Sequence, residues 1–149
     1  MSSAVYTRDI LRLAASIPYL GSLDNPDGTA ELRSPTCGSV VRIDVGMDAA
    51  GRVAALGQAV EACAFGQASA ALMGAHALGR SRDEVAGALA ELSAWLAGGR
   101  ADPGAWPGLV VLEPARSRSG RHGAILLPFR ALLAAIDTAM VRDAGPASR

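Results

Sequence analysis

Residues 33–67 read RSPTCGSVVRIDVGMDAAGRVAALGQAVEACAFGQ. Val41, Ile43, Val45 and Met47 alternate with polar neighbours such as Arg42 and Asp44, the two-residue period of a strand with one face turned to a core. The DAAGR stretch that follows supplies a hairpin loop in which Gly51 is free to take a positive φ, and Arg52 to Glu61 reads as the return strand. Its alternation is weaker because it is rich in Ala. A cysteine stands at each open end of the hairpin, Cys37 on a Pro-Thr-Cys-Gly turn before the first strand and Cys63 just after the second. In an antiparallel pair the start of one strand lies beside the end of the next, so topology alone brings the two thiols to one end of a sheet.

Working outward, residues 29–34 read as a further short strand behind the turn chemistry of GSLDNPDG. Ile10, Leu13, Ala14 and Ile17 predict an amphipathic helix over residues 4–17, stopped by Pro18. After Cys63, Ala64 to Leu78 reads as a helix of small residues. Ser81 and Glu84 form a capping-box signature ahead of a stripe made by Val85, Leu89, Leu92 and Leu96. Residues 98–108 read as a loop and Leu109 to Leu112 as a short apolar segment. Pro128 suits the first turn of a last helix that buries Phe129, Leu132, Leu133, Ile136 and Met140. The expected fold class is α+β: a small three-stranded antiparallel sheet with an N-terminal helix and several C-terminal helices packed on it. Residues 1–142 are expected to be a single domain and residues 143–149 a flexible tail.

The 149 residues suffice for one hydrophobic core. Their 14 basic residues, all Arg, cancel 14 acidic ones, which disfavours a nucleic-acid or anionic-membrane surface. The absence of Lys beside abundant Ala and Gly reads as a GC-rich bacterial coding bias. Arg8, Asp9 and Arg12 interrupt the N-terminal run where a signal peptide needs its apolar centre, so a soluble, cytoplasmic protein is expected. In a reducing compartment two cysteines are ligands, reactive thiols or core residues rather than a disulfide.

If a helix starts at Cys63, its unpaired amides favour the thiolate there. A zinc site wants at least three protein ligands. Of the two histidines, His76 reads as a surface residue near a helix end, whereas His122, just before the last helix, is the better third ligand. Two readings of His122 stand: a ligand, or a solvated loop residue beside Arg121. Arg116, Arg118 and Arg121 read as a solvated loop or as a dock for an acidic partner. Either cysteine taken singly reads as a small core hydrophobe, but the pair at matching strand ends reads as a site. No nucleophile elbow or phosphate loop is present, so no conventional enzyme is expected.

The stretch SPTCGSVVRIDVGMDAAGRVAALGQAVEACAFGQASAALM resembles the core of the IscU/SufU/NifU N-terminal family of iron–sulfur cluster assembly scaffolds: a cysteine in a P-x-C-G-D turn, a strand hairpin, and a cysteine followed by a small-residue helix. AILLPFRALLAAI resembles the family's C-terminal helix, whose start bears a third cysteine. Two positions depart from the pattern. Ser39 stands where the family has Asp, and Ala124 falls on the third cysteine when the helix is aligned without gaps. Gly123 then precedes it, and a one-residue shift instead restores His122 to a ligand role; both registers fit the sequence. The family's Leu-Pro-Pro-Val-Lys loop for a dedicated chaperone is absent.

The resemblance implies a scaffold or accessory protein of iron–sulfur assembly. Cys37 and Cys63 would be thiolate ligands or sulfur acceptors and His122 a third metal ligand. The cargo would be a transient iron–sulfur cluster or iron, with zinc as the other metal. The partners would be a cysteine desulfurase and recipient apo-proteins, and the chain a monomer or weak homodimer. The alternatives are a degenerate interaction or regulatory module with structural zinc or no metal, and sulfur transfer without metal.

Overall fold

The computed structural model describes residues 6–35 and 37–147, with side chains through Arg142. Thr7 accepts a hydrogen bond from the Ile10 amide and so caps the first helix, α1 (Arg8–Ala14), whose Ile10 is fully buried. Residues 4 and 5 of the longer helix expected here lie outside the described residues. Three strands follow, β1 (Gly28–Arg33), β2 (Val40–Met47) and β3 (Val53–Glu61), forming an antiparallel sheet in the order β1-β2-β3. The sheet and its α+β class are those the alternating sequence predicts. Gly51 takes a φ of 79° in the β2–β3 loop, where Asp48 accepts hydrogen bonds from the Ala50 and Arg52 amides.

Val41, Ile43 and Val45 are completely buried, on the face that the alternation assigned to the core. The opposite face is not bare. Asp44 is only 2 % exposed, because its carboxylate accepts hydrogen bonds from the Leu23 amide at 3.1 Å and the Thr29 hydroxyl at 2.9 Å. The segment after α1 therefore folds over the second face of the sheet.

Two helices follow the hairpin, α2 (Ala64–His76) and α3 (Arg82–Leu96), the latter opened by the expected capping box of Ser81 and Glu84. Two short 3-10 segments, Leu109–Ala115 and Ser119–Arg121, lead into α4 (His122–Ala147). α4 lies across β1 and β2, α2 and α3 pack on α4, and α1 packs on α2. An apolar stretch of α4 with mean hydropathy 1.8 is 61 % buried inside the molecule, which makes α4 the central helix of the core.

Two expectations about α4 are corrected. The helix begins at His122 rather than near Pro128, so the proline lies inside it. A proline there offers no N–H to the carbonyl four residues back, and burial of Phe129, Leu132 and Ile136 holds the helix together regardless. Met140 is 47 % exposed rather than part of the buried face. α4 also continues to Ala147, into the segment read as a tail, while residues 148 and 149 lie outside the described residues.

Candidate functional site

The register of the hairpin builds the site. Val40 of β2 pairs with Glu61 of β3, so Cys37, three residues before Val40, and Cys63, two residues after Glu61, leave the same end of the sheet. Cys37 is exposed and Cys63 half-buried. The turn carrying Cys37 closes on itself: the Ser34 amide donates to the Ser39 carbonyl at 2.8 Å and the Gly38 amide to the Ser34 carbonyl at 3.0 Å. Gly38 holds a φ of 74°, the left-handed region in which a glycine fits without strain.

Ser34 and Ser39 are both 4 % exposed, so two buried serines back an exposed thiol. The Ser39 hydroxyl lies 3.0 Å from the Cys37 sulfur. Hydrogen bonding from Ser34 and then from Ser39 holds the Cys37 thiol below its ordinary value; Arg121 adds a smaller Coulombic effect in the same direction, and partial burial opposes them. Cys63 is the N-cap residue of α2, with an extended backbone and no side-chain capping bond.

The start of α4 reaches this end of the molecule through α2. A Cβ on Gly66, in the first turn of α2, would stand 3.2 Å from the Ala124 carbonyl oxygen and 3.3 Å from the Ala124 Cβ. An alanine there would have to push Ala124 back by a few tenths of an ångström. The Ser69 hydroxyl, one turn further along α2, donates to the Ile125 carbonyl. Ala124, which falls on the family's third cysteine, is thus a fully buried methyl packed against the first turn of α2.

His122, the first residue of α4, points elsewhere. Its Nε2 lies 2.9 Å from the Ala115 carbonyl oxygen and 3.1 Å from that of Arg116. Carbonyls only accept, so Nε2 carries the proton and ties the helix start to the preceding 3-10 segment. Among the described residues no group of three His, Cys, Asp or Glu side chains that could hold a metal ion forms. Arg116 is a structural residue: it donates to the Trp95 and Arg100 carbonyls and lies over the Trp95 ring at 5.0 Å. His76 is a half-buried residue at the end of α2 whose carbonyl accepts a bond from Arg80. The contribution of Ser34 was missed in the sequence, although a hydroxyl residue three positions before a turn cysteine was there to be read.

The fold is shared with known proteins. The crystal structure of a nitrogen-fixing NifU-like protein (N-terminal) from Brucella abortus is 32 % identical, with a TM-score of 0.85 over 91 % of this chain and 94 % of that one. The chain belongs to the IscU/SufU/NifU N-terminal family. Two more distant structures share the fold of this family member. One is described as a candidate iron–sulfur cluster assembly scaffold for the SUF system from Fervidobacterium islandicum AW-1, at 19 % identity and a TM-score of 0.81, covering 89 % of this chain and 96 % of that one. The other is a hypothetical protein at 24 % identity and a TM-score of 0.69, covering 89 % and 97 %. No protein-family profile and no curated protein matches the chain.

Proposed function

We propose that this family member is a scaffold of iron–sulfur cluster assembly that takes up sulfur on Cys37, with Cys63 as the second thiolate of the same site. The reading is supported above all by the Val40–Glu61 register, which sends both thiols to one end of the sheet with Cys37 exposed. Membership of the family and the SUF-system description of a protein with the same fold point the same way.

The chemistry needs only a donor persulfide, as carried by a cysteine desulfurase. The Cys37 thiolate attacks the outer sulfur of the donor. A sulfur–sulfur bond forms at Cys37 while the donor's sulfur–sulfur bond breaks, and the donor thiolate leaves with the electron pair, so no external oxidant or reductant is needed. The Ser34 and Ser39 hydroxyls favour the attacking thiolate. Iron would then be held by thiolate sulfur, the ligand that iron–sulfur clusters prefer. A structural zinc in a single chain is the weaker reading, because zinc asks for more ligands than the described residues gather. Recipient apo-proteins would take the finished cluster, and the bacterial cytoplasm would be the place of work.

The test is mass spectrometry of the chain after incubation with a persulfide-loaded desulfurase, alongside anaerobic reconstitution with iron and sulfide. The expected result is the mass of one added sulfur on the Cys37 peptide, lost in Cys37→Ala. If no persulfide forms and replacing both cysteines by Ala leaves bound iron unchanged, the reading is wrong.

A further inference from the structure

The sheet has two outer edges, and the chain covers the backbone of one of them. On β3 the Gln58 amide donates to the Tyr19 carbonyl and the Gly21 amide to the Gln58 carbonyl, both at 2.9 Å. Tyr19 holds a φ of 61° in that run, a conformation that a bulky residue rarely adopts. β1 has no such cover. The Ser34 amide bonds to the Ser39 carbonyl across the β1–β2 ladder, so by antiparallel alternation Leu32 and Ala30 also turn their backbone groups to β2. The amides and carbonyls of Thr29, Glu31 and Arg33 therefore point away from the sheet. Among the described residues no backbone group from elsewhere in the chain meets them.

An open strand edge is a template for another strand, and the side chains of β1 specify which one. Glu31 and Arg33 are exposed, stand on one face of the strand, and form no ion pair among the described residues. Leu32 between them is half-buried at the rim of the core. Gly28–Arg33 contains no proline to block pairing.

We infer that the outer edge of β1 pairs antiparallel with the same edge of a second copy of the chain, about a two-fold axis at Leu32. In that register Glu31 lies opposite the second copy's Arg33, and Arg33 opposite the second copy's Glu31. Backbone bonds and opposite charges then coincide at both positions. Leu32 meets its counterpart as the closely spaced, non-hydrogen-bonded pair at the centre. Moving the axis to Glu31 or to Arg33 sets like charges against each other, which is destabilising. Glu-Leu-Arg is thus complementary to its own reversed copy, the relation that C2 symmetry requires. A six-residue strand buries little surface, so the association is weak and concentration-dependent. The antiparallel arrangement sends the Cys37 turns of the two copies to opposite ends of the joint sheet, so the pairing needs neither metal nor sulfur at the thiols.

The test uses the full chain, reduced and free of metal, in sedimentation equilibrium from micromolar to millimolar concentration. The expected mass rises towards twice that of the chain, and added salt lowers it. Hydrogen exchange on the same samples should protect the Thr29, Glu31 and Arg33 amides increasingly with concentration, while those of Ala30 and Leu32 are protected throughout. Glu31→Arg and Arg33→Glu, both at exposed positions, should each weaken self-association about tenfold or more. Mixed in equal amounts, the two variants associate with each other, because each then faces the opposite charge at both positions.

Single chains at millimolar concentration overturn the pairing. So does a dimer that both charge reversals leave unchanged, since its interface lies elsewhere, and so does failure of the mixed variants to associate. Outward amides that stay unprotected in the chain alone, and gain protection only when a cysteine desulfurase is added, also overturn it and assign the edge to a segment of that protein.

Discussion

The Ser39 hydroxyl stands 3.0 Å from the sulfur of Cys37, in the place where the family pattern carries a carboxylate. A hydroxyl donates to a thiolate, whereas an ionised carboxylate repels it, so the exchange changes the sign of the local effect on the thiol. The alkylation rate of Cys37 followed against pH should therefore have its midpoint below that of a free cysteine, near about 8.5. Ser39→Ala and Ser34→Ala should each raise the midpoint and slow alkylation at neutral pH a few-fold, and Ser39→Asp should raise it further. The linked effect on stability has a definite sign. A thiol made more acidic by folding stabilises the fold fully above the unfolded thiol's pKa, and that contribution declines below it and is lost as pH falls through the folded value.

The seam between α2 and α4 depends on Gly66. A Cβ there would come within 2.7 Å of the Ala62 Cβ as well as crowding Ala124, so Gly66→Ala should lower stability by about 1–3 kcal/mol. Gly87, exposed on α3 with nothing within 4 Å of an added Cβ, is the control: Gly87→Ala should raise stability by about 0.5–1 kcal/mol. Urea midpoints of the two variants moving in the same direction would contradict the packing described.

Asp44 ties the segment after α1 to the sheet through the Leu23 amide, the Thr29 hydroxyl and the Arg42 guanidinium at 3.4 Å. Asp44→Ala leaves a half-buried amide and hydroxyl without their acceptor and should cost about 1–3 kcal/mol in a denaturant titration. Asp44→Asn keeps one acceptor oxygen and should fall between that variant and the parent.

His122 fastens the start of α4 to the Ala115 and Arg116 carbonyls. His122→Ala should cost about 1 kcal/mol of stability and leave the persulfide yield on Cys37 unchanged. A variant of normal stability but without sulfur uptake would show that the ring serves the thiols instead.

Legibility in the sequence followed periodicity. The hairpin was readable because Val41 to Met47 alternates strictly and Gly51 marks the turn, and the placement of the thiols followed from strand pairing alone. Ser81 and Glu84 announced α3 because a capping box is a local device. The start of α4 was hidden by Pro128, a residue that commonly opens helices and here sits inside one sustained by tertiary burial. Alternation assigned Asp44 to the polar face; its burial depends on a segment some twenty residues away that no local pattern describes. The orientation of His122 is likewise set by carbonyls of a 3-10 segment, which has no sequence period to betray it. The two departures at the site, Ser39 and Ala124, were visible as residues, but their meaning lay in distances to Cys37 and Gly66.

The turn from Ser34 to Ser39 is laced by its own backbone bonds and holds an exposed thiol over two buried serines. Chemistry hung on a turn that closes through its own backbone bonds can change without altering the strands that carry it. A lineage can trade a carboxylate for a hydroxyl at position 39, and so retune the acidity of the thiol beside it, without rebuilding the helices beneath.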